Sequence, residues 1–144
     1  MEPPLPTPSI PDRDSGPSGA LPLTFDRVFR PWRYAVSHSE LRLRTVDAEA
    51  GDLIEAAFFG VVGMKLKSLY QSLTIDYADR AQTAEILRFA DIKEKSAHHV
   101  RCLTLHSTGD SGFIACLSFV VRSYPPGSDP DRTDDSALIA RSNR

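Results

Sequence analysis

His98, Cys102 and His106 recur every four residues in a stretch rich in β-prone side chains, and both residue types bind metals. On a strand they share a face, because side chains alternate with a period of two. The same geometry argues against a common ion, since four extended residues span about 13 Å, far beyond the bite of one metal. No metal and no cofactor is therefore expected.

Cys102 and Cys116 flank a turn-like Ser107-Thr108-Gly109-Asp110-Ser111-Gly112 at nearly equal distances, so a hairpin would bring their strands together. One register sets the thiols side by side as a redox pair, and a shift of one residue turns them to opposite faces. Packed, reduced thiols are the favoured reading, because free cysteine commonly behaves as a small hydrophobe. A cysteine nucleophile needs a positioned base, and His98, His99 and His106 are its neighbours only in sequence. Ser37-His38-Ser39 lacks a nucleophile elbow and reads as a polar turn.

Asp47, Glu49, Asp52 and Glu55 surround Gly51 without the ligand spacing of an EF-hand, and Gly60-Val61-Val62-Gly63 matches neither phosphate-binding glycine pattern. Phe29-Arg30-Pro31-Trp32-Arg33-Tyr34 mixes bases and aromatics as a single-strand platform does, but a small domain needs Trp32 and Tyr34 in its core. These residues favour an answer of no to enzyme function, without deciding it.

The elements that would carry these residues follow from periodicity. Trp32, Tyr34 and Val36 alternate, then Leu41, Leu43 and Thr45 alternate with Arg42, Arg44 and Val46, so a hairpin is predicted across 37–40. Leu53 to Val62 is nearly continuous apolar sequence and reads as a buried strand. Residues 83–92 fit a helical face or a short strand, with a Thr83 cap favouring helix. Ala97 to His106 and Gly112 to Arg122 form the expected terminal hairpin.

The predicted fold is mainly β (with α+β as the alternative), an antiparallel β-sandwich or partly open barrel of six to eight strands with at most one or two short helices. Seven of the 11 prolines lie within residues 1–22, which read as a disordered tail whose Pro3-Pro4-Leu5-Pro6 start only matches a common polyproline pattern. Residues 23–124 form the expected domain, and 125–144 a second polar tail.

With 17 basic against 19 acidic residues, no global charge drives the chain to nucleic acid or anionic lipid. Its apolar runs are too short to span a bilayer, and its first residues lack a signal-peptide pattern, so a cytoplasmic protein with no membrane partner is expected. The leading function is a non-catalytic protein-binding or accessory β domain, immunity- or antitoxin-like or self-associating, that meets a protein partner or a second copy. Arg42 and Arg44, on one strand face, are the candidate contacts to an acidic partner. The alternative is a small-molecule-binding barrel lined by Trp32, Phe58, Phe59 and Phe89, and behind it an enzyme using Cys102 or a histidine.

Overall fold

The computed structural model describes residues 21–109 and 111–142. Residues 1–20, most of the proline-rich tail, lie outside them. The chain is a β-sandwich of two antiparallel five-stranded sheets. Its strands are β1 (Leu23–Phe25), β2 (Phe29–Ala35), β3 (Glu40–Thr45), β4 (Leu53–Phe59), β5 (Gly63–Lys65), β6 (Leu73–Tyr77), β7 (Arg101–His106), β8 (Ser111–Cys116), β9 (Ser118–Tyr124) and β10 (Ala137–Arg141). Helices α1 (Arg80–Phe89) and α2 (Glu94–Ala97) lie between β6 and β7.

The first sheet has the order β1-β6-β7-β8-β5 and the second β10-β9-β4-β3-β2. Alternation places Leu41, Leu43, Ile54, Ala56, Phe58, Phe119 and Val121 of the second sheet against Leu73, Ile75, Leu103, Leu105, Ile114 and Cys116 of the first. Phe58 and Phe119 are cross-strand partners, and their rings pack 6.5 Å apart within this core.

The predicted hairpin is present, with Tyr34 opposite Leu41 and Arg30 opposite Arg44. A bulge between Pro31 and Arg33 changes which way its aromatics point, because an extra residue reverses the alternation. Phe29 takes the core position, while Trp32 is 54% exposed and Tyr34 is 37% exposed. The core role expected of these two residues falls to Phe29 and Tyr70, both fully buried.

The apolar run at 53–62 becomes β4, followed by a crossing to the other sheet. The run at 112–122 does not form one strand: it breaks at Leu117, where β8 ends and β9 enters the second sheet. The two crossings lie together, with the Leu117 amide donating to the Phe59 carbonyl at 3.0 Å. Gly60 at this point has φ +65°, and a Cβ there would lie 2.7 Å from Leu117 Cγ, so backbone freedom and space both call for glycine.

Residues 83–89 belong to α1, which begins earlier, at Arg80, and its cap is Asp79 in place of Thr83. The Asp79 carboxylate accepts from the Gln82 amide at 2.7 Å, and the Gln82 side chain accepts from the Asp79 amide at 2.8 Å, a reciprocal capping box. α1 lays Ile86 and Leu87 over Cys102, Ala115 and Phe113 on the outer face of the first sheet.

The second difference concerns the polar tail expected after Tyr124. Residues 125–136 run as a strap whose Asp131 reaches Arg33 and Arg44 on the outer face of the second sheet, and residues 137–141 return as β10 beside β9. Ala137-Leu138-Ile139-Ala140 supplies the apolar side chains, with Ala140 fully buried. Together with the short β1 and β5 and the break at Leu117, this strand raises the count above the expected six to eight, to ten among the described residues.

Candidate functional site

The outer face of the second sheet carries a chain of charges laid down by strand register. Arg44 lies opposite Glu55 across β3 and β4, and Glu55 lies opposite Arg122 across β4 and β9. Glu55 is central: one carboxylate oxygen accepts from Arg44 Nε at 2.5 Å and the other from Arg42 Nη1 at 2.5 Å. Arg42 Nε then donates to Glu40 at 2.6 Å, while Arg44 Nη2 reaches Asp131 of the strap at 3.0 Å. Arg33 closes the far end on Asp131 at 3.6 Å. The order Arg33, Asp131, Arg44, Glu55, Arg42, Glu40 alternates in sign and sums to zero.

Burial makes this ladder more than surface decoration. Arg44 and Glu55 are 4% and 3% exposed, so each ion needs its partner to offset lost hydration. The Trp32 ring covers the Arg44 guanidinium at 5.0 Å, which shields the ion and adds a cation–π contact. For Arg42, burial pulls the pKa down, and Glu40 and Glu55 outweigh it, holding the group above its ordinary value.

Arg42 and Arg44 therefore share one face, as the alternation predicts, but their charges are already met within the chain. An acidic partner would have to displace Glu55, Glu40 or Asp131 from them. Sequence reasoning missed these acids because Glu55 and Asp131 are 11 and 87 residues from Arg44. Glu55 inside an otherwise apolar strand was the visible signal: a carboxylate buried among hydrophobic residues must have cationic partners.

The four aromatics named as pocket walls do not converge. Phe58 belongs to the core between the sheets. Phe59 lines a cleft of about 550 Å³ on the outer face of the second sheet, with Arg42, Arg122, Tyr124 and Ser136. Trp32 stands by a different cleft beside the strap. Phe89, 65% exposed, packs edge-on against Phe113 at 5.1 Å on the outer face of the first sheet.

The two cysteines face opposite ways. Cys102 pairs with Ala115 and Cys116 with Arg101, the register that separates the thiols. Cys102 lies under α1 and Cys116 in the core between the sheets, both free. Burial raises both thiol pKa values, that of Cys116 to about 12, so neither is poised as a thiolate nucleophile. His98 is the C-cap of α2, its ring tilted against that of His99 with centroids 3.8 Å apart, outside the strand that carries Cys102, while His106 lies at the far end of β7.

Asp47 has a structural task. Its carboxylate binds Arg27 at 2.9 Å and the Val28 amide at 3.0 Å, tying the crossing between β1 and β2. Burial would raise its pKa, but the Val28 amide and Arg27 prevail and lower it. Asp52 accepts from Ser123 at 2.7 Å, and Glu49 is exposed. Comparison with family models, characterised proteins and solved structures finds no match to this chain.

Proposed function

We propose that the chain is a non-catalytic binding domain that associates through the open edge of β10, pairing with a second copy of itself. The observation that supports this reading is how differently the four sheet edges are finished. β1 and β5 are three residues each, too short to template much pairing. β2 is longer but blunted: Phe29 turns its N–H and C=O outward to Tyr70, at 2.9 and 2.8 Å, and the next outward position is Pro31, which has no N–H.

β10 has five residues, no proline and one charge, Arg141, and a single bulge at Ile139 is its one irregularity against β9. The proposed antiparallel pairing with its twin turns about that bulged residue and brings the end carrying Arg141 to the end carrying the neutral Ala137. No like charges meet, and a twofold axis would join two five-stranded sheets into one. No helix among the described residues is long and apolar enough to cross a membrane. A cytoplasmic setting is part of the proposal and rests on composition and on thiols that cannot bridge one another.

The test uses the exposed position 137. Ala137→Arg puts two like-charge pairs across the proposed axis and Ala137→Glu two opposite-charge pairs, each worth about 0.2–1 kcal/mol. Sedimentation equilibrium of the full chain should show self-association weakened by arginine and strengthened by glutamate. A monomeric wild type, or two variants that move together, would overturn the reading.

A further inference from the structure

The cleft beside the charge ladder contains an arginine that the ladder does not use. Arg122 projects from β9 on the same face as Glu55, yet Glu55 gives both oxygens to Arg42 and Arg44. Among the described residues Arg122 has no carboxylate within ion-pair distance, and its polar contact is Nη1 to Ser136 Oγ at 3.4 Å, a long one. The six ladder groups cancel among themselves, so the Arg122 guanidinium lines the cleft without a direct ion pair among the described residues, with Asp134 as the other charge there outside the ladder.

Its neighbours suit an oxygen-bearing anion. Tyr124 is 7% exposed and lines the same cleft, and its hydroxyl makes no hydrogen bond among the described residues. The hydroxyls of Thr133 and Ser136 come from the strap, so the open cleft is bounded by β3, β4, β9 and residues 130–136, with Arg42 and Glu55 of the ladder in its lining. Asp134 is also in the lining, opposite in sign to Arg122.

We propose that this cleft binds a compact molecule bearing one carboxylate, anchored by Arg122 and seconded by the Tyr124 hydroxyl. The planar guanidinium fork matches a carboxylate in two parallel hydrogen bonds. Phosphate is disfavoured: Arg122 is the one cation outside the ladder in the lining, and a second negative charge would be opposed by Asp134. A ligand that also carries an ammonium group gains Asp134 as a second contact, which makes an α-amino acid the best-fitting class. The cleft lies one strand in from the β10 edge, so this site stands independently of self-association.

The test is a titration of the full chain with acetate, glycine and inorganic phosphate at constant ionic strength, following the Arg122 Nε–H and Tyr124 amide resonances. Acetate and glycine should shift both signals saturably, with glycine tighter and phosphate without effect. Arg122→Met should weaken glycine binding about tenfold or more, as loss of a charge-assisted bond does, with partial recovery in Arg122→Lys. Asp134→Asn should reduce the preference for glycine over acetate. Tyr124→Phe keeps the ring and removes only the hydroxyl, so a weaker but saturable response is expected even if Arg122→Met folds poorly. Unmoved Arg122 resonances, equal binding by phosphate, or wild-type affinity in Arg122→Met or Tyr124→Phe would each overturn the proposal.

Discussion

On the first sheet the outer face is covered by α1, which presses Ile86 and Leu87 onto Cys102, Ala115 and Phe113, whereas on the second it is covered by a strap held through ions. The helix cover is local, since its cap, its buried side chain and the strand that follows lie within a few tens of residues. The ionic cover joins β2, β3, β4 and residue 131, and each joint works only if its neighbours are present. An apolar cover fails in proportion to what is removed. A charge ladder fails abruptly, because removing its central rung leaves buried ions with too few partners to offset their lost hydration.

The most severe break should be Glu55→Ala, which leaves Arg42 with only Glu40 and the buried Arg44 with only the half-exposed Asp131, and is expected to destabilise by about 3 kcal/mol or more. Urea denaturation reads this directly. Replacing the group as a whole, with Arg42→Met, Arg44→Met and Glu55→Leu, should recover most of the loss, since apolar side chains need no partners. Ile86→Ala on the other face should cost about 2–4 kcal/mol by the same measurement, the price of a cavity. An Ile86→Ala loss larger than that of Glu55→Ala would mean that the ladder is not what holds the second face.

The two thiols sharpen the contrast on one strand pair. Cys116 stays protonated in the folded chain up to about pH 12, while the unfolded chain loses its thiol proton near pH 8.5. A raised folded pKa means a contribution present below the unfolded value and lost as pH rises toward the folded one. Stability should therefore fall by about 1.4 kcal/mol per pH unit above pH ~9 from this group alone. Cys116→Ala should flatten that alkaline limb in denaturation curves measured across pH, whatever its cost at neutral pH. The smallest effect belongs to the helix cap: Asp79→Ala should cost about 1 kcal/mol and lower the helical signal in circular dichroism.

Much of the fold was legible because its signals are local. Alternation located the β2–β3 hairpin, an apolar run located β4, and the turn at 107–112 located β7 and β8. What was not legible depends on distant partners. Trp32 left the core because of a bulge that the alternation of Trp32, Tyr34 and Val36 conceals. The strand in the polar tail forms because β9 offers it an edge, although Ser136 to Arg141 alone looks like a fraying end. Alternation sets Arg42 and Arg44 on one face, but the acids that meet them are not legible, because they come from another strand and from the strap. Arg122 and Tyr124 drew no attention in a run that reads simply as β, and only the register of β4 against β9 sets them beside the ladder.

The alternating ladder also constrains how such a sequence can diverge. A substitution at Glu55 is tolerable only if Arg42 and Arg44 change with it, and Asp131 has little reason to persist once Arg44 is gone. Positions 33, 40, 42, 44, 55 and 131 should thus drift as one correlated set, gaining or losing charge in balanced pairs, while the apolar positions under α1 exchange among one another freely. A distant relative would be recognised less by any single residue than by that covariation.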